Sequence, residues 1–93
     1  MQEINKFNKI IVANWKLNGS FSYINTFIND LKINVSTQDE ACVIICPPFP
    51  YIYYLNSKNF FKGAQDCSIY SEGAYTGEIS SKILKDLDCK FCI

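Results

Sequence analysis

Two short runs of β-branched and apolar residues stand out along the chain, Lys9–Asn14 (KIIVAN) and Ala41–Cys46 (ACVIIC). Both have strand length and neither alternates apolar with polar. Strands apolar on both faces belong in a parallel sheet covered on each side by another layer. Residues 60–65 (FFKGAQ) and 89–93 (CKFCI) read as shorter, less pure strands. Between the first two runs the spacing predicts a helix. Gly19 permits a turn, Ser20 can cap, and Ile24, Phe27, Ile28 and Leu31 follow the i, i+3, i+4, i+7 pattern of one buried face. After the second run, Pro47, Pro48 and Pro50 are expected to stop both strand and helix, leaving residues 51–55 at most a turn or two. Ser68, Ser71, Gly73, Thr76 and Gly77 mark a loop of roughly a dozen residues. Connections of ~2–6 residues are usual there, and longer ones tend to be functional. Ser80 then opens a second helix, with Ile83, Leu84 and Leu87 on its apolar face. The order β-α-β-(short α)-β-α-β implies parallel strands joined by crossover helices, an α/β architecture.

No linker or low-complexity stretch divides the 93 residues, so residues 1–93 are read as belonging to one domain. The chain stops inside its fourth expected strand, with no helix or charged tail after Phe91, Cys92 and Ile93. A parallel strand in that position has an open edge and an uncovered face, and the chain is expected to be the front part of something longer.

Charge and composition narrow the function classes. Nine lysines are balanced by nine carboxylates, so net charge gives no support to a polyanion-binding surface, and no nucleic-acid partner is expected. Arginine and histidine are both absent. No bidentate phosphate fork is possible, and no imidazole is present to act as a base near neutral pH. An apolar share of 48% with 15% aromatic residues is a globular composition rather than a disordered one. No stretch approaches the ~20 apolar residues of a membrane span. Residues 1–8 are polar, and the Ile10, Ile11, Val12 run is too short for a signal-peptide core. Five cysteines, an odd number, argue against a closed disulfide framework and for a reducing compartment. A cytoplasmic location is therefore expected, where the glycosylation-type triplets beginning at Asn18 and Asn34 are chance matches.

Candidate chemistry concentrates at the end of the first strand. If its alternation continues, Asn14 and Lys16 share a face and Trp15 points the other way. Both lie at the carboxyl end of a strand, where α/β folds place their ligands. A lysine there can meet an anion as a point charge, with an amide beside it orienting lysine or substrate. The spacing equally allows a lysine that merely faces solvent. Cys42 with Cys46, and Cys89 with Cys92, invite a zinc reading that strand geometry opposes. In a regular strand Cys89 and Cys92 point to opposite faces, and Cys42 and Cys46 lie ~13 Å apart. Buried core thiols are the expectation. Asp86 with Asp88, and Asp39 with Glu40, read as solvated charges at element ends. Glu78, just before the second helix, suits the positive end of its dipole. Gly73 and Gly77 form no phosphate loop. Tyr51, Tyr53 and Tyr54 cluster without interleaved cations.

Four segments resemble one known family. Ala13-Asn14-Trp15-Lys16-Leu17-Asn18-Gly19, Cys46-Pro47-Pro48-Phe49-Pro50-Tyr51, Gly63-Ala64-Gln65-Asp66-Cys67-Ser68 and Glu72-Gly73-Ala74-Tyr75-Thr76-Gly77-Glu78-Ile79-Ser80 occur in the order and spacing of the triosephosphate isomerase family. The resemblance implies a (β/α)₈ TIM barrel, of which this chain supplies roughly the first four strands. It implies the interconversion of dihydroxyacetone phosphate and D-glyceraldehyde 3-phosphate, a step of glycolysis and gluconeogenesis, with no cofactor and no metal. Asn14 and Lys16 map onto the family's substrate-binding asparagine and lysine, Lys16 acting electrostatically. The loop with Tyr75, Thr76, Gly77 and Glu78 maps onto the segment that crosses to a neighbouring subunit, which implies a homodimer, and Gln65 is expected to support that region.

Three positions depart from the family pattern: Asp66 stands where asparagine is common, Tyr75 where phenylalanine is common, and Asp88 where glycine is common. The site of Asp88 is expected to need a left-handed conformation, which Asp tolerates better than most residues. The family's catalytic histidine and glutamate have no counterpart among these 93 residues, so the chain alone is expected to be inactive. The alternative is a non-catalytic βα scaffold or binding module.

Overall fold

The computed structural model describes residues 6–34, 41–56 and 59–93. The side chains of 31–34, Leu31 among them, lie outside the described residues, as do Asp39 and Glu40. The elements are β1 (Lys9–Asn14), α1 (Phe21–Asn34), β2 (Ala41–Cys46), α2 (Phe49–Ile52), β3 (Phe61–Ala64), α3 (Ser81–Asp86) and β4 (Cys89–Cys92). The four strands form one parallel sheet in the order β1-β2-β3-β4. β1 and β2 pair along their full length, from Lys9 opposite Ala41 to Asn14 opposite Cys46. This is an α/β fold of sequential parallel strands, the first part of a TIM barrel.

The two sheet faces are covered differently. Ile45 packs with Ile24, Leu55 and Phe60, with Phe27 and Ile28 of α1 against them. A neighbouring cluster joins Ile52 of α2, Ala64 of β3 and Leu84 of α3. On the other face Cys42, Ile44 and Cys46 are buried among Phe7, Phe61 and Phe91. The strands therefore cover that face with their own large side chains, where the sequence pattern suggested a separate layer. Gly63 makes the β2–β3 approach possible, because a Cβ there would lie 2.6 Å from Cys46 Sγ and 3.0 Å from Ile44 Cγ2.

β1 departs from the expectation of burial on both faces. Ile10, Ile11 and Val12 are 55%, 51% and 47% exposed; among the described residues β1 lies at the sheet edge, paired with β2. α2 also differs from the sequence pattern. Pro48 is its N-cap and Pro50 falls in its first turn, so the prolines open the helix instead of preventing it. The first-turn amides have no intrahelical partner, and a missing N–H costs nothing there.

α1 and α3 begin as the sequence indicated. The Ser20 hydroxyl accepts from the Tyr23 N–H at 3.0 Å, and the Ser80 hydroxyl accepts from the Ile83 N–H at 3.2 Å. Leu84 is buried and Leu87 packs beside it, whereas Ile83 is 42% exposed, so the apolar face of α3 is narrower than the pattern implied. Asp88 has φ 62°, the left-handed conformation expected of it, and its N–H closes onto the Lys85 carbonyl at 3.0 Å. Among the described residues, no helix is long and apolar enough to cross a membrane.

Candidate active site

Strand geometry ends one residue earlier than the alternation argument needs. The Trp15 N–H still donates to the Cys46 carbonyl at 3.0 Å, but Lys16 has φ 57°. Asn14 and Lys16 are therefore related by a side-chain turn and not by strand parity. Asn14 Oδ1 accepts the Lys16 N–H at 3.0 Å. A left-handed non-glycine residue costs about 1–3 kcal/mol and persists only where its surroundings hold it. The hold is visible on both sides of Lys16. Asn14 takes its N–H, and Gln65 Nε2 donates to its carbonyl at 2.8 Å. The same Gln65 nitrogen donates to the Cys46 carbonyl at 3.1 Å. Trp15 turns into the helix layer, edge-on to Tyr23 at 5.3 Å and to Phe27 at 5.1 Å. Asn18 Nδ2 donates to the Trp15 carbonyl at 2.9 Å, which closes the turn.

Lys16 and Gln65 border a cleft of about 210 Å³ past the carboxyl ends of the strands, lined also by Pro48, Phe49 and Asp66; Asn14 is not among its lining residues. Lys16 is exposed, and among the described residues the surface ion pairs Lys82–Glu72 at 2.9 Å and Lys90–Asp88 at 3.2 Å do not include it. Chemically the arrangement offers a cation and an amide at a strand-end cleft. With no histidine in the sequence, an imidazole proton carrier is not part of it.

The expected interface loop is a compact excursion closed at its base. The Ser68 N–H donates to the Ile79 carbonyl at 2.8 Å, and the Ser68 hydroxyl donates to Glu78 Oε1 at 2.9 Å. Glu78 is thus held by Ser68 across the base of the loop. Gly73 and Gly77 turn the chain at φ 129° and 86°. Tyr70 and Tyr75 stack with ring centroids 3.8 Å apart. Thr76 is exposed between Tyr75 and Gly77. The loop and the Lys16 turn leave the same end of the sheet, but Gln65 bonds to the Lys16 turn, and no bond joins it to Thr76 among those described.

Cys42 and Cys46 are buried as expected, while Cys67 and Cys92 are exposed. Burial, reinforced by the neighbouring Cys89 and Cys92 thiols, pushes the Cys46 thiol up to about 11. Burial also raises Cys42 and Cys89, and partial desolvation with the nearby Cys67 and Asp66 raises Cys92 although it is exposed. β4 does not keep the simple alternation expected for Cys89 and Cys92. A register shift at Lys62/Gly63 breaks the alternation, so Cys89 packs with Ile52, Ala64 and Leu84 while Phe91 packs with Cys42, Ile44 and Cys46. Among the described residues, no three His, Cys, Asp or Glu side chains are gathered to hold a metal ion.

Two features escaped sequence reasoning: the left-handed backbone of Lys16 and the double hydrogen bond from Gln65. No local signal marks the first, since lysine has no preference for positive φ. The second joins positions far apart in the chain.

Comparison with known proteins gives the chain a family. A family model described as Triosephosphate isomerase matches residues 9–93. A Triosephosphate isomerase of Wolbachia sp. subsp. Brugia malayi (strain TRS) is 45% identical over 87 residues, covering 90% of this chain and 36% of the relative. Those of Buchnera aphidicola subsp. Cinara cedri (strain Cc) and Baumannia cicadellinicola subsp. Homalodisca coagulata are 42% and 39% identical, each over 90% of this chain and over 36% and 35% of the relative. The chain thus spans about 36% of the length of the curated relatives it matches. With the family pattern matched from β1 through β4, the chain belongs to the triosephosphate isomerase family.

Proposed function

We propose that these residues form the N-terminal segment of an enzyme that interconverts dihydroxyacetone phosphate and D-glyceraldehyde 3-phosphate, and that they supply half of its substrate site. Lys16 is the electrostatic anchor. Its ammonium meets the substrate phosphate and the negative charge that develops on oxygen when a proton leaves the carbon beside the carbonyl. Asn14 positions the lysine through its backbone and offers an amide to the substrate. The proton transfers themselves belong to the histidine and glutamate of the family, which these 93 residues do not contain, so the segment alone does not turn over.

The observation that carries this reading is the Asn14–Lys16 turn, held at the carboxyl end of a parallel sheet with Lys16 bordering a cleft. The exposed Tyr75, Thr76, Gly77, Glu78 loop is proposed as the contact between two copies of the enzyme, and the cytoplasm as its location. The test is replacement. Residues 9–93 replace the matching segment in the Wolbachia relative, and the chimera is assayed for isomerisation. Retained turnover supports the assignment; a folded chimera with no turnover contradicts it.

A further inference from the structure

We propose that Gln65 is a positioning residue, whose amide fixes the left-handed backbone of Lys16 and thereby sets the direction from which the lysine ammonium meets an anionic substrate. The inference rests on the role proposed for Lys16 and extends it to a residue just past the end of a different strand.

Among the described residues, Lys16 and Asp88 are the non-glycine positions with positive φ. Asp88 terminates α3, where such a conformation closes the last turn. Lys16 ends no helix, so its conformation needs another cause. Both of its backbone polar groups are committed. Its N–H goes to Asn14 Oδ1 at 3.0 Å, and its carbonyl accepts from Gln65 Nε2 at 2.8 Å. Fixing the peptide groups on both sides of Lys16 fixes its Cα–Cβ vector, and so the base from which the long side chain departs.

The chemistry of Gln65 matches this task. A carboxamide nitrogen carries two hydrogens, and here they meet two carbonyl oxygens, those of Lys16 and, at 3.1 Å, Cys46. The Cys46 carbonyl also accepts the Trp15 N–H at 3.0 Å. One side chain thus ties the turn after β1 to the end of β2 from a root just past β3. A glutamate of the same shape would present only acceptors to the two carbonyls when ionised, and methionine fills similar space with no donor. Gln65 is partly shielded from solvent and lines the same cleft as Lys16.

The test is a double-mutant cycle in a complete isomerase carrying residues 9–93 as its N-terminal segment, with Gln65→Met, Lys16→Met and the pair. With Lys16 present, Gln65→Met is expected to lower kcat/KM, and to weaken competitive inhibition by inorganic phosphate, by about tenfold. In the Lys16→Met background the same change should cost less than about twofold, because coupled residues are non-additive. A merely structural role would lower the melting temperature and act equally in both backgrounds. Equal losses in the two backgrounds, or a lowered melting temperature with unchanged kcat/KM, would overturn the proposal. If Gln65→Met does not fold, Gln65→Asn keeps an amide one methylene shorter and is read against the same criteria. An unaffected Lys16→Met enzyme would instead overturn the parent reading of Lys16. A crippled Lys16→Met beside an unaffected Gln65→Met overturns this inference alone.

Discussion

The side-chain oxygen of Asn14 accepts the backbone N–H of Lys16 at 3.0 Å, so the two proposed substrate contacts form one mechanical unit. Removing Asn14 takes away an amide and also releases one side of the strained Lys16 backbone. Asn14→Ala is therefore expected to reduce kcat/KM by about tenfold and to be strongly non-additive with Lys16→Met. Steady-state kinetics of the two single variants and the double variant check this. Strict additivity would mean that the hydrogen bond does not couple the two residues.

Gly63 is a packing prediction. Its missing Cβ leaves room for Cys46 Sγ, which would otherwise lie 2.6 Å away, and both Cys46 and Ile44 are buried. Gly63→Ala should destabilise the protein by about 1–3 kcal/mol through overpacking. The urea midpoint reports the loss, and adding Cys46→Ala should recover part of it. A Gly63→Ala midpoint equal to that of the unmutated protein would show that the two strands can separate at no cost.

The thiols carry a pH prediction. The Cys46 thiol is raised from an ordinary 9.0 to about 11, first by burial and then by the Cys89 and Cys92 thiols. A group whose folded value is raised contributes stability that is complete below its unfolded value and is lost as pH rises through the folded one. Stability should therefore begin to fall above about pH 9 and continue to fall toward pH 11. At pH 8 the thiolate fraction of Cys46 is on the order of one in a thousand. Iodoacetamide followed by peptide mass mapping should find exposed Cys67 labelled and Cys46 spared. Labelling of Cys46 at a rate matching Cys67 would contradict its burial.

The edge strand bears on the isolated segment. Ile10, Ile11 and Val12 are each about half exposed, at 55%, 51% and 47%. A preparation of residues 1–93 alone is expected to bind a hydrophobic dye and to melt with little cooperativity. A sharp two-state melt of a monomeric 1–93 would contradict this.

Much of the fold is legible in the sequence, because its signals are local. KIIVAN and ACVIIC match β1 and β2 at both ends, since a continuous β-branched run bounded by turn residues leaves little choice of state. Ser20 and Ser80 are legible as caps because their hydroxyls satisfy nearby backbone amides. What the sequence hides is non-local. The exposure of β1 depends on which strands flank it, and the register shift that separates Cys89 from Phe91 depends on the approach of β3. At the site, Asn14 and Lys16 are legible by position and by family resemblance. Their mutual geometry is not, because it arises from a left-handed residue held by a glutamine from past another strand.

The most direct test of the account is the kinetics of Lys16→Met in a complete isomerase carrying these residues. Losing one charge contact to the transition state should lower kcat/KM for dihydroxyacetone phosphate by at least about tenfold, with the fold intact by circular dichroism. Near-normal kinetics in that variant would contradict the claim that this turn forms part of the substrate site.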